Sequence, residues 1–338
     1  MNIFLAILAL VGGFVLLIKG ADWFVEGSSS VAKLLKVPTI IIGLTVVALG
    51  TSLPEASVSI SSALAGKNAM AISNVVGSNL FNTLVVLGAS ALIVPVCVQP
   101  GSVKKEIPFS ILCTFALLGS LFLGYNKAIP ADDVHATVVE NTYTLTRVGG
   151  LVLIALFAFY MYWQISAAMK ARKLGELEEE EDVKIMSPLK SAIAIVVGVA
   201  CIIIGGKLVV YGASEIAAKF GMSENLIGMT IVAIGTSLPE LVTSMVAAKK
   251  GESDIALGNV IGSNIFNIIF ILGFSCLVSP ITVGMEAIID TAFSIVITLV
   301  GLVFAATKLK FERWEGGVFV GTYVVYLTYM ILRAYGMI

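Results

Sequence analysis

Four stretches of this 338-residue chain, Ile3 to Ile18, Ile107 to Leu123, Val148 to Met161 and Ala192 to Gly206, contain no charged side chain at all. Roughly 20 mostly apolar residues cross a bilayer as a helix, the one segment that satisfies its own backbone polar groups in hydrocarbon. Composition agrees: 58% of the residues are hydrophobic and 13% charged, where a soluble domain carries about a quarter charged. The expectation is an all-α polytopic membrane protein. The first apolar run continues into GADWFVEGSSS without a small-residue cleavage site, so it is read as a retained span rather than a signal peptide. A net charge of −1 with no basic patch gives nucleic acid nothing to hold. Cys97, Cys113, Cys201 and Cys276 lie in or beside apolar runs, with neither zinc nor disulfide spacing, and are read as small core hydrophobes.

Apolar runs between charged or Gly/Pro-rich breaks predict ten transmembrane helices, near 3–27, 39–65, 71–97, 107–124, 147–169, 190–212, 224–248, 254–279, 285–307 and 315–336. Lysine and arginine orient them. The odd-numbered connections hold 14 of these cations and the opposite side, termini included, holds 5. Both termini are therefore expected outside, and the acidic linker inside.

A gapless shift of 185 residues superimposes two parts of the chain. It aligns GTSLPE (50–55) with GTSLPE (235–240) and NVVGSNLFN (74–82) with NVIGSNIFN (259–267), and between 43–88 and 228–273 it makes 23 of 46 positions identical. The chain is an internal duplication. Residues 1–170 form one five-helix repeat with its motif at 43–88, 171–189 form a cytoplasmic acidic linker, and 190–338 form the second repeat with its motif at 228–273. Five is odd, so the second repeat must enter the membrane upside down. Inverted repeats of this kind characterise secondary transporters, whose site lies at the midplane where the repeats meet.

Each GTSLPE places a proline and a glutamate inside an apolar span. Pro54 and Pro239 lack an N–H, so the carbonyls of Gly50 and Gly235 lose their helical donors. Carbonyls near Ala48 to Gly50 and Ala233 to Gly235 are thereby free to turn aside, which hydrocarbon tolerates only where they line a cavity or meet a cation. Beside them stand Thr51, Ser52 and Glu55, with Thr236, Ser237 and Glu240 in the second copy. Thr51 and Glu55 share a helix face, as do Thr236 and Glu240. Ser78 and Asn82, and Ser263 and Asn267, are likewise one turn apart. The donors are hydroxyls, carbonyls and carboxylates. That set suits calcium or sodium and does not suit zinc or copper. A midspan carboxylate costs at least ~2.5–3.5 kcal/mol to insert, so Glu55 and Glu240 are read as ion ligands rather than protonated structural groups. Asn74, Asn79, Asn259 and Asn264 are open between ligand and interhelical glue.

At these residues the sequence closely resembles the sodium/calcium exchanger family of the cation/calcium antiporters, whose paired alpha repeats the two motif pairs match. The resemblance implies an ion site built by spans two, three, seven and eight. It assigns Glu55 and Glu240 to both calcium and sodium, Thr51, Ser52, Ser78, Thr236, Ser237 and Ser263 as ligand hydroxyls, and Ala48 and Ala233 as ligand carbonyls. It further implies three sodium ions entering for each calcium exported by alternating access. Smaller first and sixth spans would move, eased by Gly12, Gly13, Gly20, Gly198, Gly205 and Gly206. The family often carries aspartate where this chain has Asn267, and its potassium-dependent branch relies on an aspartate in this region. Asn82 and Asn267 thus point to a potassium-independent exchanger with a site charge of −2.

The implied protein is a monomer in a prokaryotic plasma membrane with no cofactor, its partners being calcium, sodium and the lipid bilayer. The alternative within transport is a calcium/proton or other divalent antiporter. An intramembrane enzyme would need a His or Cys beside the glutamates, and none is there; a channel would show flux coupled to no counter-ion. ELEEEED (176–182) is read as solvated linker, Asp132, Asp133 and His135 as weak metal candidates, and Asp22 with Lys19 as a local pair at the membrane edge.

Overall fold

The computed structural model describes residues 3–64, 68–126, 141–174, 186–220, 233–334 and 337. These residues are almost wholly helical. We label α1 (Ile3–Leu35), α2 (Thr39–Thr51 and Leu53–Leu64), α3 (Met70–Ile93), α4 (Ser102–Leu123), α5 (Arg147–Leu174), α6 (Pro188–Lys219), α7 (Ala233–Gly235 and Leu238–Lys249), α8 (Ser253–Val278), α9 (Met285–Lys308) and α10 (Arg313–Ala334). Among the described residues, eight helices are long and apolar enough to cross a membrane, or nine if the bent α2 counts as one. The predicted span at 224–248 is described only from Ala233 onward, and residues 175–185 of the linker and the Asp132, Asp133, His135 group lie outside the described residues.

α1 and α6 are the longest helices, at 33 and 32 residues. This corrects the expectation of smaller first and sixth spans. At 1.5 Å per residue each runs to about 50 Å, well beyond a hydrocarbon core of about 30 Å, so both must tilt or protrude. They pack backbone to backbone. A Cβ on Gly13 would lie 2.8 Å from the Gly205 carbonyl oxygen, and one on Gly205 would lie 2.7 Å from that of Gly13. Gly20 and Gly198 confront each other in the same way at 2.8 Å, Gly27 meets Ser191, and Gly212 meets Ala6. Numbers rise along one helix as they fall along the other, so the two run antiparallel. Gly12 has open space around it, and Gly206 only brushes Pro239. Four of the six glycines expected to ease movement therefore form the contact.

α3 and α8 occupy the centre and are buried over most of their apolar length, whereas α1 and α10 are mostly exposed. They can sit there because small residues admit them. A Cβ on Gly258 would come within 2.9 Å of the Gly43 backbone, and one on Gly262 within 2.7 Å of the Leu44 carbonyl and the Ala48 side chain. Small residues substitute here for the hydrophobic drive that lipid cannot supply.

Short strands refine the all-helical expectation. Val96–Cys97 pairs antiparallel with Lys310–Phe311, and Tyr125–Asn126, Thr142–Leu145 and Ile281–Val283 form a three-stranded sheet. They tie the connections after α3 and α4 to later parts of the chain, and the connection after α8 back to the strand before α5. Cys113 and Cys276 are buried as expected, whereas Cys97 is exposed at a strand end. The Asp22–Lys19 pair is loose at 3.9 Å; Lys250, from the α7–α8 turn, binds Asp22 at 3.3 Å and Glu26 at 2.9 Å instead.

Candidate ion-binding site

The two GTSLPE copies break their helices at the same place. Ser52 (φ −82°, ψ 8°) and Ser237 (φ −91°, ψ 7°) leave the α-helical conformation one residue after the threonine. α2 bends by 51° there. The proline ring two residues on forbids the regular turn, and the serine takes up the change. The expected freedom of the Ala48 carbonyl is only partial. It keeps its helical donor, the Ser52 N–H at 3.1 Å, and also accepts from the Ser263 hydroxyl at 3.4 Å. Ala233 opens the short turn Ala233–Gly235 at the matching position of α7.

The breaks bring each serine to the other repeat's carboxylate. Ser52 Oγ donates to Glu240 Oε1 at 3.0 Å, and Ser237 Oγ donates to Glu55 Oε1 at 2.9 Å. Ser237 Oγ also lies 3.2 Å from Ser78 Oγ. Thr236 stands near Glu55, and Thr51 and Ser263 stand near Glu240. Thr51 further donates to Asn259 Oδ1 at 2.9 Å. Both glutamates are fully buried, and each repels the other as a like charge.

The asparagines complete a pattern that the 185-residue shift maps onto itself. Asn82 Nδ2 donates to Asn264 Oδ1 at 3.2 Å, and Asn267 Nδ2 donates to Asn79 Oδ1 at 3.0 Å. Asn74 holds Ser59 Oγ (2.9 Å) and the Glu55 carbonyl (3.3 Å); Asn259 holds Ser244 Oγ and the Glu240 carbonyl at the same distances. Two wide π-type turns, Asn82–Val86 and Asn267–Leu272, start at the equivalent asparagines. Such turns shift a side chain's bearing within a helix and recur at functional sites.

Within this cluster four buried oxygens, Glu55 Oε2, Glu240 Oε2, Asn82 Oδ1 and Asn267 Oδ1, have no hydrogen-bond partner among the described residues. Each asparagine spends its N–H₂ on a neighbour, and each glutamate spends one oxygen on a serine. What remains is a set of hard oxygen acceptors, two of them carboxylate oxygens, buried where an unpaired carboxylate is very costly. Such donors suit calcium or sodium. Among the described residues no group of three or more His, Cys, Asp or Glu side chains could hold a metal, so any cation here must be held by two carboxylates plus neutral oxygens.

The residues expected in the site are thus drawn together, Ala233 being placed only by its backbone. Thr83, Asn79, Asn264, Ser59 and Ser244 support them. Thr83 accepts from Asn264 Nδ2 at 2.9 Å. The amide asparagines stood in the sequence as possible glue, and the network makes Asn79 and Asn264 the anchors that aim Asn267 and Asn82.

A family model described as sodium/calcium exchanger protein matches residues 5–166 and 190–332, one segment for each repeat. The chain belongs to this exchanger family. It is an integral membrane protein of the cation antiporter class. A putative antiporter, CaxA of Alkalimonas amylolytica, is 38% identical over 93% of this chain and 95% of its own length. The sodium/calcium exchanger MaX1 of Methanosarcina acetivorans is 33% identical over 95% of this chain and 97% of its own. A solved structure of the sodium-calcium exchanger NCX_Mj superimposes with a TM-score of 0.79 at 31% identity, covering 96% of this chain and 99% of that one.

Proposed function

We propose that this exchanger exports calcium in return for entering sodium by alternating access, with calcium and sodium competing for Glu55 and Glu240. The carrying observation is the quartet of unpartnered buried oxygens on Glu55, Glu240, Asn82 and Asn267. One calcium neutralises the two carboxylates. Sodium ions would share the same acceptors and the hydroxyls of Thr51, Ser52, Ser78, Thr236, Ser237 and Ser263, with the Ala48 and Ala233 carbonyls. Ten spans in two inverted repeats, with both termini outside and the protein acting as a monomer in a prokaryotic cytoplasmic membrane, complete the reading. The antiparallel pairing of α1 with α6 supports the inversion, because equivalent helices of inverted repeats point in opposite directions.

The test is flux in proteoliposomes at one fixed pH on both faces. An outward-directed calcium gradient should discharge rapidly when sodium is added outside and slowly when choline is added. Equal release in choline would reject sodium coupling. Release that follows an imposed proton gradient instead would establish the calcium/proton alternative.

A further inference from the structure

Behind the ion site, on the far side of Ala48, a cavity of about 360 Å³ lies between the first half of α2 and α5. That volume falls in the range of ligand-binding clefts, about 300–1,000 Å³. Its inner wall is Leu44, Ala48 and Phe266, and its outer rim is Val46, Leu49 and Ile165. The rim residues are exposed, at 37%, 42% and 56% of their surface. In a bilayer the mouth therefore opens sideways into hydrocarbon rather than into water.

One lining residue does not belong in a purely greasy groove. Gln164 is only 3% exposed, yet its Nε2 has no hydrogen-bond partner among the described residues. A buried amide left unpaired is costly, and such a group in a native protein calls for a partner. Tyr160 beside it is already engaged, donating to the Leu44 carbonyl at 3.2 Å. The amide N–H₂ carries two donors; the Tyr160 oxygen lies near enough to take one, and an acceptor on a molecule whose remainder is apolar would take the other.

Position narrows the choice. Gln164 lies six residues before Lys170, so about 9 Å along the helix from the charged end of α5. Lys170, Arg172 and Lys173 are exposed at that end. Lys104 and Lys105 are exposed at the start of α4, whose Phe109 stacks on Tyr160 at 5.4 Å. Glu106, at the start of α4 and near Tyr160, keeps one buried carboxylate oxygen without a partner among the described residues, and the Lys105 charge acts on it. Cations at the membrane surface, an amide donor just below them and an apolar slot deeper still match the order of phosphate, ester carbonyl and acyl chain in a phospholipid. Lysines and arginines near the surface favour an anionic headgroup.

We propose that the α2–α5 groove holds one acyl chain of an anionic phospholipid, its ester carbonyl accepting from Gln164 and its phosphate set among the lysines and arginines at the ends of α4 and α5. The occupied wall is the Leu44–Ala48 stretch, immediately before the α2 break. A bound lipid thus rests against the segment that leads into the ion site.

The full chain, reconstituted in vesicles, is probed with phosphatidylglycerol carrying a diazirine in one acyl chain, and separately with phosphatidylcholine bearing the same label. After illumination, adducts should concentrate on residues 41–49 and 157–168 and be several-fold more abundant with phosphatidylglycerol. Ala168→Trp, which fills the groove, should remove them, and the near-isosteric Gln164→Leu should reduce them about fivefold, the worth of one neutral hydrogen bond. Thermal melting shows whether each variant is folded, and Gln164→Leu carries the test if Ala168→Trp is not. Equal labelling by the two lipids, adducts spread evenly over all exposed helices, or labelling indifferent to Gln164→Leu would overturn the proposal. Absence of label from both lipids would also overturn it, as expected if a second copy of the chain covers the groove.

Discussion

At the residue scale the site is a division of labour among oxygens. Glu55 and Glu240 each give one oxygen to a serine of the other repeat and keep one unpaired. Glu55→Gln or Glu240→Gln preserves shape but removes one of the two charges that a calcium ion must find. Each variant should fold and lose calcium transport, with flux at the level of empty vesicles; near-normal flux in either would remove that residue from the site. Asn267 sets the charge. Its Oδ1 is unpaired and its Nδ2 is tied to Asn79, so Asn267→Asp would add a third negative charge beside two buried ones. Only a further cation can offset it in so dry a place. The variant should therefore gain a dependence on pH or on potassium that the parent lacks, and a variant with the parent's pH and potassium profiles would place residue 267 outside the site. The carboxylates were legible in the sequence because hydrocarbon makes a duplicated midspan glutamate conspicuous. Which serine meets which carboxylate was not, since Ser52 and Glu240 are brought together by the packing of two halves that local pattern does not encode. The same holds for Asn79 and Asn264, which read as equally good glue until their partners are known.

At the scale of elements, the sequence announced helices by apolar length and breaks by Gly-Thr-Ser-Leu-Pro; the breaks stand where they were expected, and eight or nine of the ten expected spans are seen among the described residues. Helix ends were misjudged where they mattered most. α1 and α6 run on past the predicted ends because polar residues such as Ser28 to Ser30 are buried against neighbouring helices rather than released to water. Glycines also separated into classes that sequence alone does not distinguish. Gly12 and Gly13 are adjacent, yet a Cβ on Gly13 strikes the α6 backbone at 2.8 Å while one on Gly12 meets nothing within 4 Å. Gly13→Ala should destabilise the purified protein by about 1–3 kcal/mol, since rigid backbone cannot give way as a side chain can. Gly12→Ala should be neutral or stabilising by up to about 1 kcal/mol, because alanine is the better helix former. Thermal melting of the two variants side by side decides this. Equal melting temperatures would mean that α1 and α6 are not interlocked, and the pair could not then travel as one body across the site.

At the scale of the whole molecule, two halves of one design meet around a centre that each half completes for the other. Ser52 reaches Glu240 and Ser237 reaches Glu55, so neither half alone would form the site. Such a device fixes how much charge crosses per cycle. The site's own charge of −2 stays with the protein; one calcium cancels it, whereas three sodium ions leave a surplus of +1. Each turnover that brings three sodium ions in and takes one calcium out therefore carries one positive charge inward. That charge is worth about 2.3 kcal/mol per 100 mV, or roughly a fifty-fold change in the calcium ratio sustained at equilibrium. In proteoliposomes loaded with calcium and diluted into sodium, an inside-negative potential should accelerate calcium release and an inside-positive one should slow it. Clamping the potential near zero should give an intermediate rate. Release indifferent to the sign of the potential would mean electroneutral exchange of two sodium ions for one calcium, with no surplus charge on the sodium-loaded site. One of the hydroxyl-rich positions assigned above would then hold no ion during transport.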